Sequence, residues 1–85
     1  MPKIETTKKF DKELEKYANQ TQIYKRIQKT FFQIQANLSH HSLRLHKLSG
    51  NGFYSISVNK SIRIIAKIDG DTVFLLEIGK HEDVY

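Results

Sequence analysis

The chain has 85 residues and contains no cysteine. This length predicts one domain over residues 1–85, and the lack of cysteine excludes a disulfide framework and a thiolate zinc site. No apolar run is long enough for a signal peptide or a membrane span, so we expect a soluble cytoplasmic protein without membrane contact. Glycine-rich phosphate loops, nucleophile elbows and paired catalytic carboxylates are also absent, which excludes the common enzyme classes that use them.

Positive charge is concentrated in the middle of the chain. The formal net charge is +5, and no acidic residue occurs between Tyr17 and Ile68. The cations and histidines of that stretch are Lys25, Arg26, Lys29, Arg44, Lys47, Lys60, Arg63, Lys67, His40, His41 and His46. Such a distribution attracts phosphate backbones by counterion release. A basic surface kept for solubility or for an acidic protein partner would have the same composition.

The first half of the chain has helical periodicity after a short strand. Ile4 to Thr6 predicts an edge strand, and Thr7 is placed to cap a helix whose apolar positions are Phe10, Leu14, Tyr17 and Ala18. A second helix from about Gln22 to Asn37 has one apolar stripe, formed by Ile23, Ile27, Phe31, Ile34 and Leu38. Together the two segments predict a helical hairpin.

The second half of the chain changes to a period of two, which is typical of strands. Strand segments are predicted from Leu43 to Leu48, Phe53 to Val58, Ile62 to Ile68 and Thr72 to Ile78. Turns are predicted at 49–52 and 59–61, and Asp69-Gly70-Asp71 is a hairpin signal. This order predicts an α+β fold, β-α-α-β-β-β, with the helical hairpin packed on one face of a mostly antiparallel four-stranded sheet.

Arg63 and His46 are the candidate functional residues within the strands. Arg63 interrupts an apolar strand, so its guanidinium is expected on the sheet face that the helices leave uncovered. A fixed guanidinium fork there suits a phosphate. His46 also lies in an alternating segment and would share that face if the strands belong to one sheet. From the strands alone, an ordinary surface arginine and a polar surface histidine are the alternatives.

The last segment, Ile78 to Tyr85, has a cation, an imidazole and a phenol after a glycine. Gly79 permits a sharp departure from the strand, so the residues beyond it are expected to reach a ligand, with a frayed polar terminus as the alternative. His81 can transfer a proton near neutral pH, and Tyr85 can stack on a base. Metal-free RNA cleavage needs a base, a phosphorane-stabilising cation and an acid, and the chain has a candidate for each. The adjacent His40 and His41 are a weaker signal, because no carboxylate lies near them to complete a metal site.

In these motifs the chain resembles the RelE/ParE superfamily of toxins from bacterial type II toxin–antitoxin modules, especially the RelE-like and YafQ-like mRNA interferases. The resemblance rests on the order and spacing of Lys8–Lys16, His46-Lys47-Leu48-Ser49-Gly50, Ile62-Arg63-Ile64-Ile65 and Gly79–Tyr85. It implies a ribosome-dependent endonuclease that cuts mRNA in the ribosomal A site without a metal or other cofactor. It also implies a cognate antitoxin, encoded nearby, that holds the toxin inactive.

The resemblance further implies roles for single residues. Arg63 matches the phosphate-contacting arginine, His81 the catalytic position of the last segment, and Tyr85 the aromatic residue that holds the nucleotide. His46 matches the histidine of the YafQ-like His-x-Leu-Thr-Gly motif, and we expect it to act as the general base, with His81 as the general acid. Additional RNA contacts are expected near this site from Arg44, Lys47 and Lys80. Contacts to ribosomal RNA are expected outside the active face from Lys25, Arg26 and Lys29.

The middle strand departs from the family pattern. Where RelE-like members have catalytic lysines and YafQ-like members a histidine followed by an aspartate, this chain has Ser55, Ser57 and Ser61. A serine supplies neither the charge nor the proton transfer of those groups, and losing one such group costs on the order of 10²–10⁴-fold in rate. Two alternatives therefore stay open: a ParE-like toxin that binds DNA gyrase, and a toxin-fold protein that binds its antitoxin but has lost ribonuclease activity.

Overall fold

The computed structural model describes residues 2–48 and 52–80. In chain order these form β1 (Lys3–Thr6), α1 (Lys8–Glu15), α2 (Thr21–Ala36), a 3₁₀ turn (His41–Leu43), β2 (His46–Lys47), β3 (Phe53–Ser57), β4 (Ile62–Asp69) and β5 (Thr72–Lys80). The strands lie in one sheet in the order β1-β5-β4-β3-β2, in which β1 is parallel to β5 and the other neighbouring pairs are antiparallel. Within the described ranges no helix is long and apolar enough to cross a membrane.

The predicted α+β fold, with two helices and a mostly antiparallel sheet, is confirmed. The sheet has five strands instead of four, because the short β2 pairs with β3 as an edge strand. The strand predicted from Leu43 begins only at His46, since residues 41–43 form the 3₁₀ turn. Arg44 ends that turn in the left-handed region, at φ +45°. Residues 49–51 of the predicted turn at 49–52 lie outside the described residues.

The core lies between the helices and one face of the sheet. Its fully buried apolar side chains include Phe10, Ile27, Ile34, Ile56, Ile64, Ala66, Val73, Leu75 and Ile78. The predicted apolar stripe of α2 is confirmed, because Ile27 and Ile34 are buried in the core and Ile23, Phe31 and Leu38 pack against that core. Burying one large aliphatic side chain contributes about 1.5–3 kcal/mol. This packing fixes which face of the sheet the helices cover and leaves the opposite face for other groups.

α1 begins where β1 stops and covers the free edge of β5. Thr7 Oγ1 accepts the N–H of Phe10 at 3.0 Å, as predicted for an N-cap, and donates to the carbonyl oxygen of Leu76 at 2.9 Å. Further along the helix, Glu13 Oε1 accepts the backbone N–H of Ile78 at 3.2 Å. Side chains of the helix therefore satisfy backbone groups of β5 that would otherwise form an open sheet edge.

Two tight turns connect the last three strands. In the β3–β4 turn, Asn59 Oδ1 accepts the backbone N–H groups of Ser61 at 2.8 Å and of Ile62 at 2.7 Å, so the predicted turn at 59–61 is confirmed. The β4–β5 hairpin is confirmed as well, with Gly70 in the left-handed region at φ +58°. These turns bring β3, β4 and β5 into the register that builds the uncovered face.

β5 continues through Gly79 to Lys80, so the prediction that the chain departs from the strand at this glycine is wrong. Gly79 lies directly opposite Arg63 of β4. Because glycine has no side chain, it adds no bulk beside that arginine on the shared sheet face. Glycine at position 79 therefore leaves space beside Arg63 in the sheet and does not form a turn. Residues 81–85 lie outside the described residues.

Candidate functional site

The face of the sheet opposite the helices has two rows of residues, which are small or polar except for Ile65. The first row is His46, Ser55, Ile65 and Glu77, and the second is Ser57, Arg63 and Gly79. Residues directly opposite each other on neighbouring strands point to the same side of a sheet. None of these residues belongs to the apolar core cluster beneath the helices. The register therefore places His46 and Arg63 on one face, as their alternation predicted.

His46 and Arg63 share this face without being neighbours. Two strand spacings of about 4.8 Å and two residues of about 3.4 Å along a strand separate their Cα atoms, which gives roughly 12 Å. No hydrogen bond joins their side chains in the described part of the chain. A substrate that contacts both side chains would have to span this distance.

Arg63 has a buried donor without an acceptor. Its Nε is buried and has no hydrogen-bond partner among the described residues, and the same is true of the Oγ of Ser55. An unpaired buried donor costs about 1–3 kcal/mol, and more when it is charged, so folded proteins contain few of them. An anion bound beside Arg63 would supply the missing acceptor.

Arg63 lines an open cavity with a volume of about 760 Å³. We call this the basic cavity; its other lining residues are Arg26, His41, Ser42, Arg44, Ser57, Asn59 and Lys60. Four of the lining side chains are lysine or arginine, and none is aspartate or glutamate. Charges of one sign around a concave site reinforce each other's potential and concentrate counterions. The cavity is therefore suited to a ligand with negative charge.

Arg26 connects α2 to the basic cavity. Its Nε donates to the carbonyl oxygen of Val58 at 2.7 Å, which fixes the guanidinium at the end of β3. This differs from the expectation that Arg26 lies outside the active face, because it lines the same cavity as Arg63. A smaller neighbouring cavity of about 320 Å³ is lined by Arg26 together with Gln22, Lys25 and Lys29. Arg26 thus joins the helical cations to the sheet site.

His40, which caps the 3₁₀ turn, and His41, its first residue, have different roles. His40 Nδ1 accepts the backbone N–H of Ser42 at 3.1 Å, and the Ser42 hydroxyl lies 2.8 Å from the same nitrogen and 2.9 Å from Gln33 Oε1 of α2. His41 stacks on His40 with ring centroids 4.7 Å apart and lines the basic cavity. Sequence reasoning gave this pair little weight, although its position inside the stretch without acids was a signal. One histidine holds the turn and the other faces the cavity.

Lys47 and Lys80 belong to the other side of the sheet. Lys47 lies opposite Tyr54 and Lys80 opposite Ile62, in rows that belong to the helix-covered face. The structure therefore does not bring these two cations to the face of Arg63, whereas Arg44 does line the basic cavity. His81 and Tyr85 lie outside the described residues, so their roles stay predictions.

Sequence comparison relates the chain to a known family. The model of the ParE toxin of the type II toxin–antitoxin system parDE matches residues 4–85. The chain belongs to the ParE toxin family. The resemblance to the RelE/ParE superfamily is thereby confirmed for nearly the whole length of this ParE-family toxin. Among curated protein sequences, none matches it.

Solved toxin structures share the fold of this ParE-family toxin. A chain of the DinJ–YafQ complex from E. coli superposes with a TM-score of 0.84 at 16% identity, over 100% of this chain and 99% of that chain. A copper-bound mutant toxin from Helicobacter pylori gives 0.81 at 17% identity, over 100% of both chains. The YoeB dimer from Staphylococcus aureus gives 0.72 at 20% identity, over 94% of this chain and 97% of that chain. At such identities the similarity establishes the fold.

Proposed function

We propose that this ParE-family toxin is a ribosome-dependent mRNA endonuclease that inhibits translation. The observation that carries the proposal is the unpaired, buried Nε of Arg63 beside a cavity with four cations and no acid. Cations arranged in this way bind the phosphates of nucleic acids, whose backbone presents regularly spaced negative charges. The motifs that resemble the YafQ-like mRNA interferases support RNA as the nucleic acid.

A cognate antitoxin is the second part of the proposal. Two of the structural neighbours are toxin–antitoxin complexes, DinJ–YafQ from E. coli and YoeB–YefM from Staphylococcus aureus. By analogy, an antitoxin encoded next to this toxin binds it and blocks its activity. The basic cavity is the surface that an acidic antitoxin segment would cover best, since the cavity has no carboxylate of its own among its lining residues.

In the proposed reaction, residues of this chain supply every catalytic group, and exchange with water restores their protonation states afterwards. His46 takes the proton of the 2′-hydroxyl, whose oxygen then bonds to phosphorus while the bond from phosphorus to the 5′-oxygen breaks. Arg63 binds the phosphate and stabilises the charge of the phosphorane. His81 gives a proton to the departing 5′-oxygen, and Tyr85 stacks on the substrate base. The products are a cyclic phosphate and a free 5′-hydroxyl.

In this proposal the remaining cations contact ribosomal RNA or the messenger, or add to the positive field. Lys25 and Lys29 line the smaller cavity on α2, where they contact ribosomal RNA phosphates together with Arg26. Arg44 holds the messenger within the basic cavity. Lys47 and Lys80 act from the helix-covered side, where they add to the positive field without touching the scissile phosphate.

Growth arrest in bacteria tests the proposal in cells. Induced expression of the parent chain should stop growth, and Arg63→Gln should restore it, because losing one phosphorane-stabilising donor lowers such a rate by about 10²–10³-fold. Lys8→Gln is the matched control, since it removes one exposed positive charge from α1 and should leave the arrest intact. If a folded Arg63→Gln, His81→Ala double variant arrests growth as strongly as the parent, the nuclease assignment fails.

DNA gyrase binding is the second candidate function. It is favoured by the match to the ParE toxin model and by the buried serines of β3, where a nuclease would have ionisable groups. A gyrase binder depends mainly on the surface of the helical hairpin and needs no proton transfer. Supercoiling of relaxed plasmid by purified gyrase separates the two functions. Equal inhibition by the parent and by Arg63→Gln supports gyrase, and unimpaired supercoiling rejects it.

A further inference from the structure

One side of the basic cavity supplies neither a proton-transfer group nor a contact to the scissile phosphate in the proposed cleavage. This side is formed by the 3₁₀ turn and the β3–β4 turn, which contribute His41, Ser42, Arg44 and Lys60. The cavity volume of about 760 Å³ falls within the range of about 300–1,000 Å³ that holds whole small-molecule ligands. A single scissile phosphate at Arg63 would leave most of this volume unused. The size of the cavity therefore indicates a ligand larger than one phosphate group.

His41 is the imidazole that can reach such a ligand. The Nδ1 atom of its neighbour His40 already accepts the backbone N–H of Ser42, so that nitrogen is occupied in holding the turn. The side chain of His41 forms no hydrogen bond to a described residue, and His41 is exposed and lines the cavity. Its stacking on His40, with ring planes 19° apart, limits the orientations of the imidazole. A ring restrained in this way loses less freedom when it binds.

Arg44 occupies a backbone position that glycine would take at lower cost. Its φ of +45° lies in the left-handed region, which costs a residue with a Cβ about 1–2 kcal/mol. Its side chain makes no hydrogen bond or ion pair to a described residue that would compensate for this cost. The backbone N–H of Arg44 caps the 3₁₀ turn by donating to the carbonyl oxygen of His41 at 3.1 Å, so the cap uses the backbone of this residue and leaves its side chain free of the turn. The side chain of Arg44 is therefore available to a ligand in the basic cavity.

We propose that His41, Arg44 and Lys60 form a second phosphate-binding subsite, which holds the nucleotide next to the one whose phosphate lies at Arg63. Arg44 and Lys60 neutralise the phosphate, and His41 donates a hydrogen bond to it. The choice of RNA as the ligand rests on the proposed function. The chemistry of the subsite is that of a phosphate ester, which occurs both in an RNA strand and in a free nucleotide, and we assign the strand.

Fluorescence anisotropy of a labelled 2′-O-methyl oligoribonucleotide tests the subsite without ribosomes. This probe lacks the 2′-hydroxyl, so it binds without being cleaved. Arg44→Gln and Lys60→Gln should each raise Kd by about tenfold or more, and His41→Ala by about two- to tenfold. The slope of log Kd against log salt should fall by about 0.7 for each lost phosphate contact. Lys12→Gln, which removes an exposed cation from α1, should change Kd by less than about twofold.

Two further measurements keep the proposal open to refutation. In the unaltered protein, the ring signals of His41 in a nitrogen-detected NMR spectrum should shift as the oligoribonucleotide is added, and an unmoved ring would overturn the proposal. Adenosine monophosphate is titrated in parallel. If this nucleotide binds at the subsite while the three variants leave oligoribonucleotide affinity and its salt slope unchanged, the site serves free nucleotides and the assignment to RNA is wrong.

These results are independent of the cellular test of cleavage. Absence of mRNA cleavage together with weaker oligoribonucleotide binding in the variants would reject the nuclease and keep the subsite. Cleavage that depends on Arg63, with oligoribonucleotide binding indifferent to all three variants, would keep the nuclease and reject the subsite.

Discussion

At the residue scale, the arrangement around Arg63 keeps a charged donor available to a ligand. Its neighbours across the sheet are Ser57 and Gly79, which have little or no side-chain volume. The hydroxyl of Ser57 is also engaged, since it donates to the carbonyl oxygen of Asn59 at 3.0 Å. These two sheet neighbours therefore neither add large side-chain volume beside the guanidinium nor neutralise its charge.

An unpaired donor predicts opposite stability effects for two arginines of the same cavity. Arg63→Met removes a buried group without an acceptor and should leave the free energy of unfolding unchanged or raise it by about 1–3 kcal/mol. Arg26→Met loses the hydrogen bond to Val58 and should lower it by about 1 kcal/mol. Urea denaturation of both variants checks this. A marked loss of stability in Arg63→Met would show that its donor is satisfied in the folded protein.

Because the backbone of Arg44 is left-handed, two substitutions at this position should differ in stability and yet have the same effect on RNA binding. Arg44→Gly should be more stable than Arg44→Ala by about 1 kcal/mol, because alanine retains the cost of its Cβ at positive φ. Both variants remove the guanidinium and should bind an oligoribonucleotide equally weakly. Chemical denaturation and anisotropy on the same preparations measure the two quantities. Equal stabilities would mean that the turn relaxes when the arginine is removed.

The positions of these residues differ in how far sequence could predict them. Arg63 could be assigned to the uncovered face, because an arginine between isoleucines in a strand alternates away from the apolar side. His41 could not be assigned to the cavity, since its direction depends on a three-residue 3₁₀ turn and on the left-handed φ of Arg44. Arg44 gives no sign of that backbone conformation in the sequence, where glycine or asparagine would be the usual signal.

At the element scale, α1 acts as a lateral cover for β5. Its N-cap residue, Thr7, donates a hydrogen bond to the backbone of the strand, and Glu13 of the helix accepts one from it. Lys9 adds an ion pair with Glu77 between the helix and the same strand. The helix therefore protects a sheet edge as well as packing on the core, which the apolar periodicity of its sequence did not indicate.

Loss of the Thr7 hydroxyl should weaken this arrangement at two points. Thr7→Ala removes the N-cap bond from Phe10 and the bond to Leu76, and should lower the free energy of unfolding by about 1–2 kcal/mol. Thr7→Ser retains the hydroxyl and serves as the control, with a loss well below that of the alanine variant. Thermal and urea unfolding measure both. Identical losses would assign the effect to the methyl group instead of the hydroxyl.

The ion pair between α1 and β5 predicts a pH dependence. The hydrogen bond to Glu77, and then the charge of that carboxylate, raise the pKa of Lys9 above its ordinary value. Because the folded pKa is the higher one, the pair stabilises the fold below the ordinary lysine pKa and ceases to do so as pH rises through the raised value. Lys9→Met should therefore be less stable than the parent near neutral pH, with the difference shrinking as the pH rises past the ordinary lysine pKa. A stability difference that is constant with pH contradicts this.

Elements with a strong local sequence pattern could be predicted from the sequence, and strand segments that depend on pairing with another strand could not. The stripe of α2 and the β4–β5 hairpin follow from local sequence, because apolar spacing and turn residues determine them. The two-residue β2 exists only because His46 and Lys47 meet β3, and β5 passes Gly79 because β4 pairs with it there. Tertiary hydrogen bonding overrides local preference in both cases.

At the scale of the whole molecule, the cations of the cavities and the acids come from different segments of the chain. The segment without acids, from Tyr17 to Ile68, supplies every residue of the basic cavity and of the smaller cavity beside it. The described acids belong to β1, α1, the β4–β5 hairpin and β5. The distribution along the sequence predicted a positive region, and the fold gathers part of it around the basic cavity and the smaller cavity. A positive field of this kind favours encounter with polyanions.

The most direct test of the central claim is a primer-extension map of a reporter mRNA in a reconstituted translation reaction. The reaction is run with the parent toxin, with Arg63→Gln, and with ribosomes omitted. Our account predicts new 5′ ends only when translating ribosomes and the parent toxin are both present. Message that stays intact with the parent toxin, or that is cut equally by folded Arg63→Gln, would contradict it.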